Sequence, residues 1–246
     1  MKIIGVIPAR FQSSRFPGKP LAMINGRPMI WWVYHQAIKV KEFETVYVAT
    51  DSDKIVDICN EYDMNVILTS DTHSTGTDRL GEVAKKVEAD FYVNIQGDEP
   101  LIEPETINKI ITYKKEHPDA NIINSMTKIT DANDVNKNTV VKVVAADNGD
   151  LIYLSRSPVP YPKKNQKIDY YKHLGLYGLS REALLFFSGA ERTKNEKIED
   201  IEMMRFMENE YRIKILPVVS QSIGVDCPED AIRVEERMKK LDIRPE

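Results

Sequence analysis

The sequence predicts an α/β fold: a doubly wound, mostly parallel sheet carrying an inserted β-rich lobe. Two observations point there. From Lys2 to His117, short apolar, β-branched runs alternate with amphipathic stretches across short connections, the pattern of strands and crossover helices in a parallel sheet. From about Asp119 to Gly189 strand-like runs follow one another through turns. That segment reads as a lobe inserted into one domain spanning residues 1–246.

Each element has its own signal. KIIGVI (Lys2 to Ile7) is the first buried strand, and PMIWWVYHQAI (Pro28 to Ile38) opens on a proline suited to a first helical turn. Trp31 and Trp32 read as core residues of that helix. ETVYVAT (Glu44 to Thr50) is a second strand, Asp51 to Tyr62 a helix, and Asn65 to Leu68 a third strand. The polar loop TSDTHSTGTDRL (Thr69 to Leu80) passes into a helix that runs to about Glu88. Phe91 to Ile95 is a strand ending in QGDEP, before a helix from Pro104 to His117. In the lobe, NIINSMTKI, TVVKVVAA and DLIYLSRS are strands, with Asp147-Asn148-Gly149-Asp150 a hairpin signal. Pro158 to Asp169, with three prolines, is a surface loop, and Tyr171 to Ser180 another strand. Helices are expected at Arg181 to Ser188 and Ile198 to Asn209, then the strand YRIKILPV. A closing helix from Pro228 to Leu241 takes Asp226 or Cys227 as its cap.

Composition narrows the function. The 246 residues are 42% hydrophobic and 29% charged, with a formal net charge of −4. That balance speaks against nonspecific nucleic-acid or membrane-surface binding, which needs a basic excess. Cys59 and Cys227 lie far apart without metal-ligand spacing and read as reduced thiols. His35, His73, His117 and His173 form no H-x-x-x-H pair. No apolar run reaches membrane-spanning length, and the strand-like start from Lys2 lacks signal-peptide architecture. The expectation is a cytoplasmic protein.

The most informative stretch is IPARFQSSRFPGKPL, Ile7 to Leu21. It carries Arg10, Arg15 and Lys19 with no acidic residue between Pro8 and Pro20, plus Ser13, Ser14 and Gly18. Cations and small residues at the carboxyl end of a first strand can enclose a polyphosphate, since ligands of open α/β sheets bind at that edge. The loop is neither a Walker A motif nor a dinucleotide fingerprint. QGDEP places Gln96 and Asp98 at the same edge, and GVDCPED places Asp226 just before a helix. Two such carboxylates suit a hard divalent ion, Mg²⁺, completed by phosphate oxygens. Either aspartate could instead cap its following helix. STGTDRL offers Arg79 among hydroxyls, YLSRSPVP offers Arg156 at a strand end, and KHLGLYG offers His173, a lone histidine more typical of a core or edge. Glu199, Glu202 and Arg205 have the spacing of a solvated helical ladder.

Taken together, IPARFQSSRFPGKPL, NGRPMI, VATDSD, STGTDRLGEV, VNIQGDEPLI, VVKVV, YLSRSPVP, KHLGLYG, IEDIEMMR and GVDCPED resemble the CTP:3-deoxy-manno-octulosonate (Kdo) cytidylyltransferases, in order along nearly the whole chain. The resemblance implies a nucleotidyltransferase-like sheet, a homodimer formed through the β-rich lobe, CTP and an acidic sugar as substrates, Mg²⁺, and a place in lipopolysaccharide or capsule assembly. It puts nucleotide binding on Pro8, Ala9, Arg10, Ser14, Arg15 and Lys19, and catalysis on Arg10, Arg15, Lys19, Asp98 and Asp226. Asp98 and Asp226 are its metal ligands, and Arg79, Gln96, Arg156, His173 and Glu202 its sugar-binding set. The chain departs from the family pattern at Leu154 and the lysines after YLSRSPVPYP, at Met203-Met204, and at Leu179-Ser180. All lie toward the acceptor, so an 8-amino Kdo, another acidic sugar or a phosphonate stays compatible.

Overall fold

The structure, a computed structural model, describes residues 1–12, 16–164, 166–220 and 222–245. The hub of its sheet is β1 (Ile3–Ala9), whose side chains alternate between the two faces: Ile3 and Ile7 pack on one hydrophobic cluster, Ile4 and Val6 on the other. A 3₁₀ turn (Lys19–Leu21) and the ribbon of β2 (Met23–Ile24) and β3 (Arg27–Pro28) lead into α1 (Met29–Ala37). Trp31 and Trp32 are buried there, as their helical setting implies. Next come β4 (Thr45–Thr50), α2 (Asp53–Glu61), β5 (Val66–Leu68), α3 (Gly76–Lys86), β6 (Phe91–Asn94) and α4 (Pro104–Glu116). Both β4 and β6 pair with β1 in parallel, and β5 pairs with β4 in parallel.

The second half contains β7 (Ile122–Lys128), α5 (Ala132–Asn136), β8 (Lys142–Ala145), β9 (Leu151–Ser155) and β10 (Tyr171–Ser180). It closes with α6 (Arg181–Gly189), α7 (Lys194–Glu199), α8 (Met203–Glu208), β11 (Lys214–Pro217) and α9 (Pro228–Lys240). Strand order is β11-β7-β10-β6-β1-β4-β5, with β8 and β9 branching from β10. Helices cover both faces: α1, α2, α4 and α9 contribute to one buried cluster, α3, α6 and α8 to the other, which is the doubly wound arrangement.

Two expectations change in detail. The segment expected as a β-rich lobe inserted at about 119–189 shares the central sheet, because β10 is long enough to serve twice. Its first residues pair with β7 and β8, and Tyr177 to Ser180 run antiparallel to β6. β8 and β9 extend the same nine-stranded sheet from β10. The helix expected over Ile198 to Asn209 is broken at Asp200, which takes a left-handed conformation (φ 50°) between α7 and α8. That break bears directly on the site.

Candidate active site

The carboxyl ends of β1 and β6 open into a cleft of about 380 Å³. Pro8, Ala9 and Arg10 line it from the end of β1, and Arg10 is exposed. Gly18, at φ 69°, turns the chain so that Lys19 begins the 3₁₀ turn at the cleft wall. The Lys19 ammonium donates to Asp98 Oδ2 at 2.7 Å and to the Val225 carbonyl at 2.9 Å, and lies 3.6 Å from Asp226 Oδ1. Val225 N–H in turn donates to the Asp98 carbonyl at 2.9 Å, tying the loop before α9 to the loop after β6. Gly97 allows the close approach beneath: a Cβ there would sit 2.7 Å from the Pro8 carbonyl oxygen.

Neither aspartate serves as a cap. The N-cap of α4 is Glu103, and that of α9 is Cys227, with Asp230 accepting from the N–H groups of Asp226 and Cys227. Both carboxylates instead face the Lys19 ammonium, with the Val225 carbonyl beside them. Such an all-oxygen set fits a hard divalent ion. Among the described residues no group of three or more acidic, His or Cys side chains forms a metal cage, so the remaining ligands would come from bound phosphate or water.

Gln96 and Glu202 line the same cleft. Gln96 lies directly over Gly175, where a Cβ would come within 2.2 Å of its Cγ. Glu202 Oε2 accepts from Thr77 N–H at 3.0 Å, and burial raises its carboxyl pKa above the ordinary value. Beneath them Thr77 Oγ1 and the Tyr177 hydroxyl share a 2.8 Å hydrogen bond.

Arg79 also lines the cleft, but its guanidinium is engaged. Nη2 pairs with Asp51 Oδ2 at 2.7 Å, and Nη1 donates to Thr69 Oγ1 and to the Ser70 carbonyl. His173 and Arg156 are not among the cleft-lining side chains. His173 Nε2 accepts from Asn124 Nδ2 at 2.6 Å, and burial lowers its pKa to about 4. The Arg156 guanidinium donates to the carbonyls of Asn138 (2.8 Å), Glu199 (2.5 Å) and Asp200 (2.9 Å), while Glu199 accepts from Ser155 Oγ and Arg156 N–H. Ser14 and Arg15 lie outside the described residues.

The cleft also holds Ser74 and Thr75, the hydroxyls expected beside Arg79, together with residues that sequence reasoning passed over: His73 before α3, Gly76 at its start, and Asp200 beside Glu202. The signal for Gly76 was the cap itself, since Thr75 Oγ1 accepts from Asp78 N–H and fixes where the loop ends. Glu199, Glu202 and Arg205 form no solvated ladder. Arg205 is buried, paired with Glu196 at 2.6 Å and Asp78 at 3.1 Å, because the break at Asp200 turns α8 inward.

A family model described as "Cytidylyltransferase" matches residues 4–215. The 3-deoxy-manno-octulosonate cytidylyltransferase of Fusobacterium nucleatum is 42% identical over 245 residues, covering 99% of this chain and 100% of the relative. The chain belongs to the 3-deoxy-manno-octulosonate cytidylyltransferase family. A relative of the same name from Geobacter metallireducens is 41% identical, over 99% of the chain and 100% of its own length. Among solved structures, CMP:2-keto-3-deoxy-manno-octonic acid synthetase complexed with CTP aligns with a TM-score of 0.94 at 37% identity, covering 98% of this chain and 100% of that one. A 4-diphosphocytidyl-2C-methyl-D-erythritol synthase from Anaerococcus prevotii aligns over 97% of the chain and 99% of its own at 17% identity, with a TM-score of 0.66, which shows the shared fold. For this cytidylyltransferase, the cleft at the ends of β1 and β6 is the candidate nucleotide site.

Proposed function

We propose that this cytidylyltransferase joins CTP and 3-deoxy-manno-octulosonate to give CMP-Kdo and pyrophosphate. The observation that carries the reading is one ammonium, Lys19, shared by Asp98 and Asp226 at the mouth of the first loop, within a chain 42% identical to a relative named for that activity. Arg10, Arg15 and Lys19 hold the triphosphate, with Pro8, Ala9 and Ser14 completing the nucleotide-binding set. Lysine and arginine charges fixed beside the departing pyrophosphate favour the transition state over the bound ground state. The acceptor's anomeric oxygen attacks the α-phosphorus, the bond from that phosphorus to the bridging oxygen breaks, and the hydroxyl proton passes to solvent. Holding the two reactants in line supplies much of the acceleration. Asp98 and Asp226 would hold Mg²⁺, which supplies charge neutralisation at the phosphates.

Gln96 and Glu202 bind the acceptor directly. Arg79, His173 and Arg156 support that end: Arg79 braces the Thr69–Ser70 backbone, His173 the β7–β10 pair through Asn124, and Arg156 the turn before Glu202. The enzyme works in the cytoplasm as a homodimer assembled through the segment around β8 and β9, feeding lipopolysaccharide or capsule assembly. No helix among the described residues is long and apolar enough to cross a membrane.

Pyrophosphate release with CTP and Mg²⁺ across an acceptor panel tests the assignment. Kdo should be turned over with the highest kcat/KM. A preference for 8-amino Kdo, another acidic sugar or a phosphonate would reassign the acceptor and leave the cytidylyl transfer standing.

A further inference from the structure

A buried lysine stands behind the acceptor end of the cleft. Lys142, on β8, is fully shielded from solvent, and taking an ammonium out of water is costly unless each N–H finds a strong acceptor. All three do. Nζ donates to the main-chain carbonyls of Val140 at 2.7 Å, of Lys137 at 2.9 Å and of Arg156. Burial, and after it the charge of Arg156, lowers the Lys142 pKa, while the Glu199 carboxylate opposes them. A methionine would fill the same space without that cost, so it is the three donors that the position uses.

What those donors hold is the seat of Arg156. Lys142 lies opposite Ser155 on β9, and Arg156 follows where the chain leaves that strand. The ammonium therefore clamps the open end of the β8–β9 ribbon. Its other two carbonyls, from Lys137 and Val140, flank that of Asn138, which the Arg156 guanidinium takes at 2.8 Å. Lys142 thus fixes both the main chain of Arg156 and the loop on which its guanidinium rests. From there Arg156 reaches the carbonyls of Glu199 at 2.5 Å and Asp200 at 2.9 Å, and Asp200 and Glu202 line the cleft. Glu199 closes the circuit, its carboxylate accepting Ser155 Oγ at 2.8 Å and Arg156 N–H at 2.9 Å. We propose that Lys142 is a positioning residue for the acceptor, acting through Arg156 on the turn that presents Glu202. None of these bonds touches Lys19, Asp98 or Asp226, so the nucleotide end should not feel the change. This rests on the assignment of Glu202 to the acceptor.

A double-variant cycle read through the KM for Kdo tests it. Lys142→Met keeps an apolar chain of similar length and removes the donors. It should raise the KM for Kdo about tenfold, with kcat changed by less than about threefold and the Kd for CTP by less than about twofold. Combined with Arg156→Ala, it should give the KM of Arg156→Ala alone to within about threefold, because the two residues act in series. Independent losses would instead multiply to about a hundredfold. A lysine that only stabilised the fold would lower Tm without separating the two substrates. Should Lys142→Met not fold, Lys142→Gln, which keeps two N–H donors, should still raise the KM for Kdo at least about threefold. An unchanged KM in the folded Lys142 variant, an equal loss of CTP affinity, or a double variant whose losses multiply would overturn the proposal. A wild type that binds CTP and fails to turn over Kdo would instead strike the acceptor assignment, before any variant is compared.

Discussion

At the scale of single residues, the decisive fact is that two acids from distant parts of the chain meet one lysine. Asp98→Asn removes one negative charge from that position and leaves its shape, so kcat should fall at least about a hundredfold, the scale of one lost electrostatic element in the transition state. Steady-state rates with saturating CTP and Kdo check this, and near-normal turnover would take Asp98 out of the metal role. Lys19→Ala should raise the Kd for CTP about tenfold or more by equilibrium binding, since an ammonium facing phosphate oxygens makes charge-assisted hydrogen bonds. The basic loop and QGDEP were legible in the sequence because their charge pattern is local. Asp226 was also a candidate cap, and only the position of Asp230, which does the capping, removes that role from it. The place of His73 in the cleft was not legible, because it depends on where β5 sits in the sheet.

At the scale of elements, the break between α7 and α8 is what turns Glu202 toward the cleft and Arg205 toward the core. The sequence shows helical spacing straight through this region, and the left-handed Asp200 that interrupts it is held by a residue more than forty positions away. Arg156 donates to the carbonyls of Glu199 and Asp200, and Arg192 pairs with the Asp200 carboxylate at 3.0 Å. Arg156→Ala should therefore loosen the turn that carries Glu202. The expected result is an acceptor KM raised about tenfold, equivalent to about 1.4 kcal/mol, with the Kd for CTP unchanged. A rise in the CTP Kd of the same size would place Arg156 in the nucleotide's path instead. Gly175→Ala acts on the same end from β10. The added methyl would occupy the space of the Gln96 side chain, contacting its Cγ at 2.2 Å and Nε2 at 2.3 Å. It should displace Gln96 and raise the acceptor KM, again with CTP binding spared.

Across the whole molecule, the strand–helix alternation of the first half foretold the parallel sheet because each crossover is local and each strand announces its own burial. The middle of the chain was harder. Its run of strands reads as an inserted β-rich lobe, and only the pairing of β10 with both β6 and β7 shows that it also completes the central sheet. That central pairing also makes the fold sensitive to acid. The side chains of His173 on β10 and Asn124 on β7 hydrogen-bond, and burial depresses the His173 pKa from 6.5 to about 4. Between those values the unfolded chain binds a proton that the folded chain does not, so stability rises with pH through that window and is fully present above about 6.5. Each unit of difference is about 1.4 kcal/mol, which for a chain of this size corresponds to a few degrees in Tm. Glu82 adds a second limb of the same sign at lower pH, present above 4.5 and lost as pH falls toward about 2. His173→Gln keeps a group able to bond Asn124 and cannot be protonated. Its Tm should fall less than that of the wild type between pH 6.5 and 4, while the two decline together below pH 4. Parallel Tm curves across the upper window, measured by scanning calorimetry without nucleotide, would assign the acid sensitivity to groups other than the histidine at the centre of the sheet.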